Sequence, residues 1–232
     1  MIITGLTGYG NILVQTANLV YSILNSYNKK VSILDCKSLK NVRTLKSYIQ
    51  EIQKNYSDFL VLKIDSKNYD KKLLEHVQFD IILHNCETDP LHVGDIYDYN
   101  EIVKEMLPYL SREGTAILNA DYILDPSYYK DIKYLIVTYG FNSKADITTS
   151  SISDTLFGRE FIFYQQKRIR TTEGIYISPQ EYRINIDKTN MDIYAILGAF
   201  SFVLVSGVNL NSNLFYKPVE YDFCCNWQDY VI

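Results

Sequence analysis

Ile3-Thr4-Gly5-Leu6-Thr7-Gly8-Tyr9-Gly10-Asn11 decides how the rest of the chain is understood: an apolar lead-in runs into a turn with glycine at three closely spaced positions. Met1 to Ile3 form the apolar approach. Ile12 to Leu24 follow, with Val14, Ala17, Leu19, Val20, Ile23 and Leu24 spaced to lie on the inner face of a helix. Strand, glycine turn and helix in this order predict an α/β fold whose first turn is built for phosphate. Free N–H groups at a helix amino end point at an anion, and glycine lets the backbone approach it closely. Gly5, Thr7, Gly8, Tyr9, Gly10 and Asn11 are the candidate nucleotide contacts. A Walker loop closes on Lys and then Ser or Thr. Here those places hold Tyr9 and Gly10, and the next lysine is Lys29. The same glycines also suit a tight strand-to-helix turn that binds nothing.

Working outward, the chain alternates. Val31 to Leu34 is a short apolar strand ending at Asp35, and Leu45 to Asn55 has a helical pattern. Phe59 to Ile64 is the next strand, Asp70 to His76 the next helix, and Phe79 to Leu83 a nearly continuous apolar run. Such a run is expected of a parallel strand covered on both faces. Glu101 to Leu110 is helical, and Thr115 to Leu118 and Tyr134 to Thr138 are strands. This order predicts a doubly wound, mostly parallel sheet with its ligand at the strands' carboxyl ends. From Ile147 to Ile186 apolar and polar residues alternate between turn signals at Phe157-Gly158, Glu173-Gly174 and Ser178-Pro179, predicting a small antiparallel sheet. A buried helix over about 190–206 ends at Gly207, a natural cap. The expected organisation is one domain over 1–210, comprising a sheet core (1–146), the antiparallel part (147–189) and the helix (190–207). An aromatic tail (211–232) follows, ending in the strand-like Tyr230-Val231-Ile232.

Composition narrows the partners. A net charge of −4 argues against a broad nucleic-acid surface, which needs clustered lysine and arginine. No apolar run reaches the roughly 18 residues of a membrane span, because Gly198, Ser201 and Ser206 break the longest one. The first strand starts at once, leaving no room for a signal peptide, so the expectation is a cytoplasmic protein. Cys36, Cys86, Cys224 and Cys225 have no C-x-x-C spacing, and His76, His84 and His92 are too scattered for zinc. Adjacent Cys224 and Cys225 suit packing better than metal. The 21 tyrosines follow no regular repeat and are treated as a compositional bias.

Several segments in the same order resemble the central ATPase domain of the Mur ligase family, which includes folylpolyglutamate synthetases. Ile3-Thr4-Gly5-Leu6-Thr7-Gly8 is similar to the family's I-T-G-T-N-G-K-T loop until the lysine is due. Phe79-Asp80-Ile81-Ile82-Leu83-His84-Asn85, with Asp89 after it, resembles F-D-x-x-x-x-T-N and its N-x-x-x-D-H-L-D continuation. Gly94-Asp95-Ile96-Tyr97-Asp98-Tyr99 is similar to G-x-M-E-x-Y, and Gly114-Thr115-Ala116-Ile117-Leu118-Asn119-Ala120-Asp121 to G-x-A-V-I-N-A-D, the most specific segment. Thr138-Tyr139-Gly140 and Ala145-Asp146-Ile147 extend the match, and Ser206-Gly207-Val208 resembles the end of the family's late helix. The resemblance implies a domain that uses ATP and Mg²⁺ to phosphorylate a carboxylate, which an amine then attacks to form an amide. It adds Asn119 and Asp121 as nucleotide candidates, although both residues also suit a turn and helix cap after a strand.

The resemblance fails where charge chemistry is done. Tyr9 and Gly10 replace the loop Lys and Thr. In Val61-Leu62-Lys63-Ile64-Asp65-Ser66-Lys67, similar to V-x-E-V-S-S-H, Lys63 replaces the metal-binding Glu. Pro90 stands for the His of D-H-L-D, and Val103 for the lysine that the family carbamylates, with Lys104 one position away. These residues do not suit Mg²⁺. Lys63 is a candidate phosphate contact, since lysine is a competent point charge for phosphate. No catalytic or metal-binding residue is assigned.

The expectation from the resemblance is a middle domain standing without the family's flanking domains. The expectation is therefore a central domain without ligase activity, serving as a nucleotide-binding or protein-interaction module, with a partner chain supplying missing parts or with self-association. Two alternatives stay open. One is an active ATP-dependent, ADP-forming ligase or ligase subunit with a rearranged site. The other is a nicotinamide-dependent dehydrogenase or epimerase, suggested by Thr4-Gly5-Leu6-Thr7-Gly8-Tyr9-Gly10, by Asp35 at the second strand's end and by the Y-x-x-x-K spacing of Tyr129 and Lys133.

Overall fold

A computed structural model describes residues 1–39, 41–87, 93–123, 133–155, 158–186, 190–210 and 213–216, with 93–97 and 213–216 described as backbone alone. β1 (Ile2–Gly8) lies between β3 (Phe59–Asp65) and β4 (Phe79–His84), parallel to both. β2 (Val31–Asp35) pairs with the outer edge of β3, so the chain skips one position on leaving β1. On the other side β4 is followed by β5 (Leu110–Asn119) and β6 (Leu135–Tyr139), all parallel. The winding reverses between β1 and β4. In an open α/β sheet that reversal leaves a crevice at the strands' carboxyl ends.

The remaining strands extend the same sheet. β7 (Ile147–Thr155) meets β6 only at Tyr139 and Ile147, then pairs antiparallel with β8 (Gly158–Gln165), which pairs antiparallel with β11 (Gln180–Ile186). β12 (Asn213–Tyr216), in the stretch expected to be an aromatic tail, adds the last of ten strands. A separate two-stranded sheet joins β9 (Ile169–Arg170) to β10 (Tyr176–Ile177). The antiparallel strands expected from the alternation are thus mostly a continuation of the main sheet.

α1 (Gly10–Ser26) and α5 (Ile193–Val205) cover one face. α2 (Val42–Lys54), α3 (Lys71–Leu74) and α4 (Val93–Met106) cover the other. α5 is apolar all round and buried from Ala195 to Val205, as a helix wedged between a sheet and neighbouring elements must be. Asp192 caps it, accepting from Tyr194 N at 2.8 Å, and Gly207 follows it at φ +84°. Beneath α5, Phe200 stacks on Phe163 at 4.6 Å between centroids and meets Tyr182 edge-on at 5.1 Å. This packing joins the antiparallel strands to the parallel core.

Candidate functional site

Gly5, Thr7 and Gly8 belong to β1, and α1 begins at Gly10, so the turn between them is Tyr9 alone. Gly5 lies within the strand and packs closely on its neighbour: a Cβ there would sit 3.3 Å from the Phe79 ring, a tight contact. Gly8, at φ +148°, is pressed against the carbonyl of Asn85, which a Cβ would strike. Gly10 adopts φ +74°, a left-handed value that suits glycine, and its Cα faces the Glu87 side chain. Asn11 is exposed on the first turn of α1. Tyr9, half-buried in the place of the loop lysine, carries the Lys67 ammonium 3.6 Å from its ring centroid, a cation–π contact.

Lys63 lies at the same end of the sheet and is engaged by its strand neighbour. The register sets Asp35 beside Lys63, and Lys63 Nζ is 2.7 Å from Asp35 Oδ2, with both side chains largely buried. Lys37 forms the companion pair with Asp65 at 2.6 Å, a hydrogen bond that raises the Lys37 pKa. Asp35, the acid that a dinucleotide site would place on ribose, is therefore spoken for. Cys36 next to it is pushed up to about 12 by burial, then by Asp35, with Lys63 opposing. Val103 is in the core, and Lys104 one position on pairs with Glu101 at 2.8 Å. Among the described residues no group of three or more His, Cys, Asp or Glu side chains could hold a metal. Asp89, Pro90, His92, Tyr129, Cys224, Cys225 and 230–232 lie outside the described residues.

Asn119 and Asp121 both make hydrogen bonds within the fold. Asp121 accepts from Phe141 N and Asn142 N, each at 2.7 Å, and from Tyr194 Oη at 3.1 Å, clamping the loop after β6 and the start of α5 onto the end of β5. Asn119 Oδ1 accepts from Asp121 N at 3.0 Å.

Composition gave no hint of what surrounds them. His84 stands fully buried at the end of β4, its Nδ1 2.7 Å from Thr7 Oγ1. Burial lowers its pKa to about 3, against a smaller raising influence from the Thr7 backbone, so the ring is neutral at physiological pH. A ladder of rings leads outward: His84 to Tyr99 at 4.7 Å, then Tyr122, Tyr194 and Phe141 in steps of 5.5 Å. Tyr99 Oη accepts from Asn119 N at 2.7 Å and Tyr139 Oη donates to His84 O at 3.2 Å. Burial first, then neighbouring titratable groups, raises the phenol pKa values of Tyr122, Tyr139 and Tyr194, which stay protonated. Asn85 Nδ2 donates to Thr16 Oγ1 and to Tyr194 O, at 3.0 and 2.9 Å, bolting β4 to α1 and α5. The tyrosines taken as a bias thus include a structural layer across the carboxyl ends of β4 to β6. Its one sequence signal was His84-Asn85 closing an apolar strand.

Fold and site together define a doubly wound α/β domain with a single residue, Tyr9, between its first strand and helix and an aromatic layer beside that turn. A model of the Mur ligase middle domain matches residues 15–177. The chain belongs to that family. The UDP-N-acetylmuramoyl-L-alanyl-D-glutamate--2,6-diaminopimelate ligase of Chlamydia felis (strain Fe/C-56) is 27% identical over 119 residues, 50% of this chain and 24% of that protein. A solved ligase of the same name superimposes with a TM-score of 0.65 at 16% identity, over 91% of this chain and 45% of that one. The MurF ligase of Thermotoga maritima in complex with ADP gives 0.58 at 13% identity, over 91% and 47%. L. casei FPGS gives 0.53 at 11%, over 91% and 60%. The chain spans about a quarter of that curated relative's length and under half of the two Mur ligase structures. At these identities the structural matches speak for the fold alone.

Proposed function

We propose that this chain is a Mur-type middle domain that does not carry out ligation and acts as a protein-interaction module. The observation that carries the reading is the closure of the first turn to Tyr9, with β1 running through Gly8 and α1 starting at Gly10. A phosphate cradle needs a stretch of backbone whose N–H groups converge on the anion. One tyrosine between strand and helix provides little of it. The neighbouring charges support the same reading. Mg²⁺ takes oxygen ligands in octahedral geometry, and the candidate positions offer a lysine ion-paired with Asp35, a tyrosine and a glycine. That set does not fit the metal. Acyl-phosphate chemistry also needs a cation on the transferring phosphoryl group, and Lys63 is held by Asp35 instead.

Isothermal titration with ATP, ADP and UDP-sugars, with and without Mg²⁺, tests this. The expected result is no saturable heat. One observation favours a second reading, in which the domain keeps a metal-free nucleotide site: Lys67 reaches the first turn over Tyr9 and has no carboxylate partner among the described residues. Saturable ATP binding that Lys67→Ala abolishes would replace the first reading with the second.

A further inference from the structure

The ten-stranded sheet has a gap on one flank of β6. Beyond the single Tyr139 to Ile147 contact, β7 diverges, and among the described residues no strand pairs with Leu135 to Val137 on that side. Thr138 N donates to Asp146 Oδ2 at 2.7 Å and Thr138 O accepts from Asp146 N at 3.0 Å, so the Thr138 backbone faces the β7 flank. Backbone direction alternates along a strand. Ile136, two residues earlier, therefore turns its N–H and C=O the same way, into the gap.

The opposite wall is β9. Thr171 N donates to Ile175 O at 2.8 Å, which makes the adjoining pair of Arg170 and Tyr176 the non-hydrogen-bonded kind. Arg170 accordingly turns its N–H and C=O away from β10. A cavity of about 190 Å³ lies along both edges, lined by the consecutive residues Leu135 to Val137 and Lys167 to Arg170. Consecutive lining residues indicate that it follows backbone, since side chains of neighbouring strand residues point to opposite faces.

Its rim is apolar and cationic. Leu135 is 37% exposed and Tyr176 53%, with Ile175 beside it at 59%. Lys167 is paired with Asp146 at 2.7 Å, and Arg170 with Glu113 at 3.5 Å. Arg168 stacks on the Tyr176 ring at 4.1 Å and has no carboxylate partner among the described residues.

We infer that this gap is a strand-addition slot for an extended acidic segment of a partner protein, with main-chain hydrogen bonds to Ile136 and Arg170 and a carboxylate on Arg168. An extended peptide on an open edge gains affinity from its backbone and specificity from its side chains. Backbone groups of Ile136 and Arg170, on the two walls of the cavity, supply the main-chain partners, and the Arg168 guanidinium supplies the preference for acid. The slot rests on, and gives a place to, the interaction role proposed above. Its failure is distinguishable from the failure of that role, because peptide binding and ATP binding are read separately.

Fluorescence anisotropy with a labelled alternating valine–glutamate pentapeptide on the full chain is the test, beside the same peptide with lysine for glutamate. Saturable binding of the acidic peptide alone is expected. Arg168→Glu should weaken it by about tenfold or more, on the scale of one charge pair. Ile136→Pro, which removes an N–H that β5 does not use, should weaken it similarly while circular dichroism stays native, since proline is tolerated at an open edge. No saturation, equal binding of the lysine peptide, or unchanged affinity in folded Arg168→Glu and Ile136→Pro proteins would overturn the slot.

Discussion

Acidification should reveal the buried layer through His84. The unfolded chain takes up the imidazole proton near the ordinary value of 6.5, whereas burial holds the folded ring neutral down to about 3. Between those values the unfolded state binds more protons, so stability is full above the first and is lost as pH falls toward the second. Each pKa unit corresponds to about 1.4 kcal/mol, which makes the whole difference on the order of 5 kcal/mol. At about pH 5 the loss attributable to this ring is about 2 kcal/mol, before most carboxylates titrate. Urea unfolding of the native chain and of His84→Gln, from about pH 8 to about pH 5, isolates that share. The variant is expected to be less stable at neutral pH, having lost the contact with Thr7, but its stability should fall less on acidification. If the two curves fall in parallel across the range, His84 is not held neutral by burial and the reasoning is refuted.

Three further outcomes follow from the same end of the sheet. Gly8→Ala combines a strained φ with a collision against the Asn85 carbonyl, and should lower unfolding free energy by about 2 kcal/mol or more in urea. Asp121→Ala removes the acceptor for two backbone N–H groups and a phenol, and should cost about 3 kcal/mol, measured as a lowered denaturation midpoint. Cys36, buried and pushed up to about 12, should resist iodoacetamide in the folded chain and react after denaturation, as read by peptide mass mapping.

What the sequence made legible was local. The apolar run of β4, the helix ending at Gly207 and the alternation past Ile147 were each visible in a short window of residues. Longer-range geometry was not. Gly5 and Gly8 suggested a loop because glycine is common in turns, yet their small size serves close approach to Phe79 and to the Asn85 carbonyl. β1 therefore runs longer than its apolar lead-in. β5 likewise starts at Leu110, through the polar Ser111 to Glu113 that obscured its beginning. Lys63 carried a free charge in the sequence, and only the register of β2 against β3 brings Asp35 to it. The tyrosine layer draws on residues from 99 to 194, with no spacing that a periodicity could detect. The open flank of β6 depends on where β7 diverges, a property of two strands that neither one's composition contains.

The proposed loss of the charge chemistry of ligation is open to direct measurement. Its most direct test is phosphate release from ATP in the presence of Mg²⁺ by the purified chain. Release is expected to be no greater than in protein-free controls, both for the native chain and for Lys63→Ala. Metal-dependent turnover by the native chain that Lys63→Ala abolishes would contradict it, and would place an active phosphoryl site where the structure holds an ion pair.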